Sequence, residues 1–252
     1  MLKNLLKKFS KKKEEEEIQL FDFSVINTDM HSHLIPGIDD GSQSIENSVQ
    51  MIQELMLLGF KKLITTPHIM SDCYKNTPEI INNGLQKLKS ELTERKINVE
   101  IKAAAEYYLD EQFSHAVENE PLMTFGDKFV LFETSYINKP ENLKEVIFKL
   151  LSQKYKPVLA HPERYNYLYN DFDEYKTLKE TGVLFQININ SIFGAYSPMT
   201  KKVSQDLIDN NMVDFIGTDA HNLKHIDGLR ICLKEKYCQL LLQNNTLQNI
   251  NL

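Results

Sequence analysis

The chain has 252 residues, a formal net charge of -6, 42% hydrophobic residues and 25% charged residues. This is the profile of a soluble globular protein long enough to bury a sizeable core, as one large domain or two small ones. The acidic balance argues against a nucleic-acid backbone as the main partner.

Cys73, Cys232 and Cys238 form no CxxC pair, which points to a reducing, cytoplasmic setting. No apolar run approaches the roughly 20 residues that a membrane span needs. The opening stretch MLKNLLKKFSKKKEEEE places Leu2, Leu5, Leu6 and Phe9 at helical spacing between lysines. A charged, solvated tail is the ordinary reading. A small amphipathic foot on an anionic membrane surface, through residues 1–13, is the sharper one. We divide the chain into an extension over 1–24, a single domain over 25–242 and a loose polar tail over 243–252.

Within the domain, apolar runs alternate with helical patterns. SVINTD reads as a first strand. A helix follows, with Ser44 as N-cap, a stripe of Ile45, Val49, Ile52 and Met56, and Gly59 as the left-handed C-terminal residue. KKLITTPH is a second strand, and a helix runs from about Pro78 to Arg95. NVEIKAAAEYY is a third strand, followed by a short helix near Asp110 to Glu118. KFVLFETS, KPVLAHPER, VLFQINI and VDFIGTDAH continue the series, separated by helical ENLKEVIFKLLSQ, FDEYKTLKETG and KKVSQDLIDNN. A last helix covers about Leu223 to Leu242. Short strands alternating with helices mean a parallel sheet. No Gly-rich phosphate loop follows any strand, so we expect a (β/α)7 TIM-like barrel in preference to an open doubly wound sheet.

The C-terminal strand ends carry the chemistry. The first gives His31 and His33, with Asp39 and Asp40 in the next loop; the second gives His68. The third and fourth give Glu106 and Glu133, and the fifth gives His161 with Arg164 three residues on. The sixth gives Asn188 and Asn190, and the seventh Asp219 and His221. In a βα barrel these ends converge on one face. His31 and His33 point to the same side of an extended chain and can reach one ion.

Each residue has an ordinary alternative: a lone HxH is commonly incidental, Glu133 could pair with a lysine, and Arg164 could be a surface ion pair. Jointly, five histidines and four acids on one face argue for a metal site. Imidazole plus carboxylate without thiolate suits Mn, Fe or Zn better than Ca or Mg. Eight or nine ligands imply two or three ions sharing a bridging carboxylate, a device that activates water and clamps a displacement at phosphorus. His115 and His225 read as ordinary surface histidines.

DMHSHLIPGIDDG, TTPH, AAAEYYLD, AHPERY and GTDAH resemble the PHP family, named for polymerase and histidinol phosphatase. Within it they resemble most the bacterial tyrosine-protein phosphatases of capsule and exopolysaccharide operons. The resemblance implies a distorted barrel with three divalent ions, commonly manganese. It assigns His31, His33, Glu106 and Asp219 to one ion, with Glu106 bridging. Glu106, Glu133 and His161 go to the second, and Asp40, His68 and His221 to the third. It makes Arg164 the phosphate ligand, has Asn190 line the pocket, and has Asp29 orient a ligand imidazole. Arg164, Glu106 and Asp219 are then the catalytic residues.

The expected reaction is phosphotyrosine hydrolysis by a metal-bridging hydroxide. The expected substrate is a phosphotyrosyl protein, the tail of a cognate bacterial tyrosine kinase. Cysteine-phosphatase chemistry is excluded: six residues beyond Cys73, Cys232 and Cys238 stand Glu79, Cys238 and Asn244, none of them an arginine. A histidinol-phosphatase-like phosphomonoesterase and a non-catalytic, metal-stabilised partner domain are the alternatives.

Overall fold

A computed structural model describes residues 22–243 and 246–252; the proposed membrane foot lies outside the described residues. Among the described residues there are nine strands and eight α-helices. They are β1 (Thr28–Asp29), α1 (Ile45–Leu57), β2 (Lys62–Thr65), β3 (His68–Ile69), α2 (Pro78–Glu94), β4 (Glu100–Ala103), β5 (Glu106–Tyr108), α3 (Glu111–Asn119) and β6 (Phe129–Glu133). Then come α4 (Leu143–Ser152), β7 (Lys156–Ala160), α5 (Phe172–Glu180), β8 (Leu184–Asn188), α6 (Pro198–Asp209), β9 (Phe215–Gly217), α7 (Leu223–Cys232) and α8 (Lys236–Gln243). Among the described residues no helix is long and apolar enough to cross a membrane.

Side-chain caps set the helix starts. Ser44, Thr77, Asp110, Asp171, Ser197 and Asn222 each accept a backbone N–H from the first turn of the following helix. Gly59 takes φ +104°, as its place after α1 requires. The buried stripe of α1 is Val49, Met51, Ile52 and Leu55, rotated from the expected one, with Ile45 and Met56 only partly buried. The expected last helix is two, α7 and α8, broken after Cys232.

All strand pairs are parallel. They form two sheets, β1-β2-β4 and β3-β5-β6-β7-β8-β9, and not one closed ladder. The split has a local cause. The second strand breaks at Thr66-Pro67, and Pro67 has no N–H to donate to its neighbour. The third breaks beside it at Ala104-Ala105. Hydrogen bonds from Ala104 N–H to the Thr65 carbonyl (2.9 Å) and from Glu106 N–H to that of Pro67 (3.1 Å) carry the pairing past the break.

Two cores follow from the alternation of side chains along strands. The larger packs outward faces, such as Leu63, Phe132, Leu159, Phe185 and Ile216, against the helices. The smaller packs the opposite faces together: Met30, Ile64, Ala104, Leu131, Val158, Ala160 and Phe215.

β1 and β9 share no ladder. One isolated bridge joins Ser32 to Ala220, with hydrogen bonds from His33 N–H to the Ala220 carbonyl (3.0 Å) and from Asp219 N–H to that of His31 (2.8 Å). Below it, the fully buried Asp29 accepts from Thr218 N–H (3.0 Å) and Thr218 Oγ1 (2.7 Å). Asp29 was expected to orient an imidazole; it ties the first strand to the last instead. Burial pushes its carboxyl up to about 6 against the pull of the Thr218 bonds.

Lower still, Asn249 Nδ2 donates to the carbonyls of Thr28 (3.0 Å) and Ile216 (2.8 Å), and its Oδ1 accepts from Ile216 N–H (3.0 Å). Asn249 is fully buried and Leu247 nearly so, so residues 246–252 are not the loose tail expected.

Asn249→Ala should therefore destabilise the protein by about 3 kcal/mol, because three buried backbone groups lose their partner. Chemical denaturation measures this; a change below about 0.5 kcal/mol, the range of ordinary surface substitutions, would show the seam closes without it.

Candidate metal centre

Residues from seven strand ends meet at one rim. Glu106, at the start of β5, is fully buried and faces four imidazoles. His31 Nε2 lies 3.1 Å from its Oε2, His33 Nε2 3.4 Å, His68 Nδ1 3.2 Å, and His161 Nε2 3.0 Å from its Oε1. Asp219 stands on the other side, with Oδ1 3.4 Å from His31, His33 and His221. Glu133 reaches His68 (3.2 Å) and His161 (3.8 Å). Asp40, half exposed in the loop after the first strand, reaches His221 (3.4 Å) and His68 (3.5 Å).

Among the described residues three groups have ligand atoms within 4.8 Å of one another: His31, His33, Glu106 and Asp219; His33, Asp40, His68 and His221; and His68, Glu106 and Glu133. All nine residues singled out as ligands thus lie at this rim. The grouping differs in two respects: His68 rather than His161 completes the set with Glu106 and Glu133, and His33 joins Asp40, His68 and His221.

The arrangement fits cations. His31 Nε2 and His33 Nε2 face each other at 3.4 Å, where only one of the two could carry a proton toward the other. His68 Nδ1 lies 3.2 Å from both Glu106 Oε2 and Glu133 Oε1 without hydrogen-bond geometry to either. Lone pairs set this way suit a shared positive ion. Two ligands also hold strained backbones: His161 has φ +33° and Asp219 φ +47°, the left-handed region that side chains other than glycine rarely adopt. His161 follows β7 directly and reaches Glu106, while Asp219 stands two residues beyond β9 and reaches His31 and His33.

Neighbours orient the ligands. His33 Nδ1 bonds Asp39 Oδ2 at 2.7 Å, so Asp39, not Asp29, is the carboxylate behind an imidazole. The loop carrying Asp39 lies flat on His33: a Cβ at Gly41 would stand 2.3 Å from His33 Cβ. His31 Nδ1 bonds Gln186 Oε1 at 2.8 Å.

The His161-Pro162-Glu163-Arg164 turn is pinned by Glu163, fully buried, whose Oε1 accepts from Asn188 N–H (2.9 Å) and Ser191 Oγ (2.6 Å). Tyr165 Oη adds a bond to the Ala160 carbonyl. Gln186 and Glu163 escape a sequence reading because one sits inside a strand and the other inside a turn, with nothing in their spacing to mark them.

Arg164 lines the cleft. Its Nη1 donates to Asp219 Oδ2 at 3.1 Å, and its guanidinium lies between two rings, 4.8 Å from the centre of Tyr136 and 4.2 Å from that of Tyr196. The cleft holds about 430 Å³ and is walled by Asp40, His68, Tyr136, His161, Arg164, Tyr196, Asp219 and His221, with Asn222 and His225.

Asn190 is not among these walls. The short turn Ile189–Ser191 sends its side chain under α7, where Nδ2 donates to the His225 carbonyl (2.9 Å). Asn188 rather than Asn190 reaches the cluster, with Nδ2 2.6 Å from Asp219 Oδ2. His225 is not an ordinary surface histidine either: Nδ1 lies 3.1 Å from the Asp219 carbonyl oxygen. His115 is exposed, as expected. Cys232 and Cys238 are buried away from the cleft and Cys73 is exposed.

The electrostatics follow from the crowding. Burial alone would raise the carboxyls of Glu106 and Asp219, but the imidazoles around them hold both well below the usual range. Burial disfavours a charged His31, yet Glu106 and Asp219 more than offset this and raise it to about 9. Asp40 is held down to about 2, first by its bond to His221.

Known proteins share this chain's pattern. The family model described as capsular polysaccharide synthesis, CpsB/CapC, matches residues 27–247. The tyrosine-protein phosphatase YwqE of Bacillus subtilis is 27% identical over 197 residues, 78% of either chain. The putative tyrosine-protein phosphatase CapC of Staphylococcus aureus is 26% identical over 196 residues, 77% of either chain. A solved structure from the work on YwqE of Bacillus subtilis and CpsB of Streptococcus pneumoniae, metal-dependent tyrosine phosphatases, is 26% identical. It covers 87% of this chain and 96% of its own, with a TM-score of 0.75. With the family model spanning all of the strands and the whole rim they build, this chain belongs to the CpsB/CapC capsular polysaccharide synthesis family.

Proposed function

We propose that this protein is a metal-dependent tyrosine-protein phosphatase that hydrolyses phosphotyrosine on a protein, a bacterial tyrosine kinase of capsule or exopolysaccharide synthesis. The observation that carries the reading is a cluster of nine imidazole and carboxylate side chains that includes buried Glu106, beside an arginine fork at the same cleft. Relatives named as tyrosine phosphatases, and a solved relative described as metal-dependent, support it. We read the two sheets as a (β/α)7 barrel whose seam is completed by side chains.

The donor set suits three divalent ions, manganese before iron or zinc. His31, His33, Glu106 and Asp219 would hold one, with Glu106 shared. Glu133 with Glu106, His68 and His161 would hold the second, and Asp40 with His68 and His221 the third. Bound there, the ions supply an activated water and neutralise charge on the phosphoryl oxygens.

The chain's own residues do the rest. Arg164 keeps one N–H on Asp219 and turns the remaining donors of its fork to the phosphate. Tyr136 and Tyr196 hold the guanidinium plane on both sides, so little rotamer freedom is lost when phosphate arrives. Asn188 and Arg164 together fix Asp219 Oδ2. A phenol, with an ordinary pKa of about 10, leaves more readily than an alcohol, which lessens the need for a general acid.

Chelation should abolish turnover of p-nitrophenyl phosphate and of phosphotyrosyl peptide, and Mn²⁺ should restore both. Full activity after exhaustive chelation, with no metal by elemental analysis, would overturn the reading.

Metal binding should also release protons. His31 has its unfolded value near 6.5 and its folded value near 9 in the metal-free protein, so it carries a proton at pH 7 that the ion must displace. Apparent affinity should then rise from pH 6.5 to 9. Over the same window the metal-free protein should lose the stability that charged His31 gives, which is complete below 6.5 and gone above 9. Calorimetry in buffers of different ionisation enthalpy measures the proton release, and its absence would contradict this.

Arg164→Ala should keep its metal content and lose about 10²–10³ in kcat/KM, by analogy with removing one oxyanion donor. Arg164→Lys should recover little, because a point charge cannot replace the stacked fork. His161→Ala should weaken metal binding and be partly rescued by added Mn²⁺. Metal stoichiometry beside kinetics separates these roles; metal loss in Arg164→Ala would mean that it serves the ions and not phosphate.

A further inference from the structure

A second cavity adjoins the cleft. It holds about 430 Å³ and is lined by Asn190, Phe193, Ala195, Tyr196, Lys224, His225, Asp227, Gly228 and Ile231. Tyr196 and His225 are walls of both cavities. Its sides are the loop after β8 and the outer face of α7. Ile231 lies 53% exposed there, a large aliphatic side chain left in water beside an active-site wall. Lys224 and Asp227 are both exposed and of opposite sign, so the cavity holds no excess charge to recruit an ion.

We propose that this second cavity is a subsite for a large apolar side chain flanking the phosphotyrosine of a protein substrate. The inference rests on the phosphatase reading and names the specificity of the same site. Three observations carry it. The cavity adjoins the phosphate cleft across two shared walls. Its interior surfaces, Phe193, Ala195, Tyr196 and Ile231, are apolar or aromatic, and their burial by a ligand is favourable at about 25 cal/mol per Å². Its volume of about 430 Å³ leaves room for a leucine-, methionine- or phenylalanine-sized group.

The shared wall also gives the subsite a reach into the reaction. The Tyr196 ring lies 4.2 Å from the Arg164 guanidinium, so a side chain packed behind that ring presses the ring onto the fork. An occupied subsite therefore holds Arg164 in place for phosphate, and free aryl phosphates, which cannot fill it, forgo that support.

The test compares the Mn²⁺-loaded full chain on p-nitrophenyl phosphate with phosphotyrosyl peptides that carry Leu, Phe, Ser or Asp beside the phosphotyrosine. Ile231→Asp and Ala195→Glu put charge into the cavity at exposed positions, so neither should disturb folding. Wild type should prefer the Leu and Phe peptides. Both variants should lose roughly tenfold in kcat/KM on those peptides, equivalent to about 1.4 kcal/mol, mostly through KM. Both should stay within about twofold of wild type on p-nitrophenyl phosphate and the Ser peptide.

Equal losses on every substrate, no loss on any, or a wild-type preference for Asp peptides would overturn the subsite. Failure of wild type to turn over p-nitrophenyl phosphate at all would overturn the phosphatase reading beneath it.

Discussion

One buried carboxylate facing four imidazoles is the constraint on which the rest of the structure depends. Glu106 has no exposed surface, and desolvation of an isolated carboxylate would drive it neutral. The imidazoles of His31, His33, His68 and His161 reverse this, and they come from three separate strand ends. Holding five ring and carboxylate groups within contact of each other demands a rigid support. The strained turns at His161 and Asp219 are its local expression: conformations costing of order 1–3 kcal/mol each persist because the chain around them is fixed on all sides.

The support comes from parallel strands whose ends share a rim, and it is weakest where the first strand meets the last. There the backbone ladder fails and side chains replace it. Asp29 with Thr218 fills the middle of the seam and Asn249 its lower end. The site needs that seam, because His31 and His33 stand on one side of it and Asp219 and His221 on the other. Gln186, reaching from β8 to His31, braces the same junction from within.

The strands and the candidate ligands were legible because both leave a local mark. Val158, Leu159 and Ala160 form an apolar run that ends abruptly on a histidine, and the other strand ends repeat this. What was not legible depends on where a loop turns. Asp29 and Asp39 lie equally close in sequence to the histidine pair, and only the fold of the loop through Gly41 decides that Asp39 meets His33. Asn188 and Asn190 are two residues apart, and the short turn after β8 sends one to Asp219 and the other under α7. Tyr136 and Tyr196, which bracket Arg164, come from loops far apart in sequence with no motif of their own. The division into two sheets hinges on Pro67, whose missing donor is visible in the sequence but whose effect depends on which neighbour would have received it.

The seam also bears on how the protein comes into being. Its two sides are far apart in the order of synthesis, with 189 residues between Asp29 and Thr218, and Asn249, which locks the lower end, follows both. A nascent chain can form its helices and most strand pairs early, yet it cannot bring Asp219 and His221 to His31 and His33 until the final strand emerges. A chain broken off before that point holds fragments of every ligand group but no complete one of those that need the last strand. Those groups therefore cannot assemble before the ninth strand is made, as a consequence of topology alone.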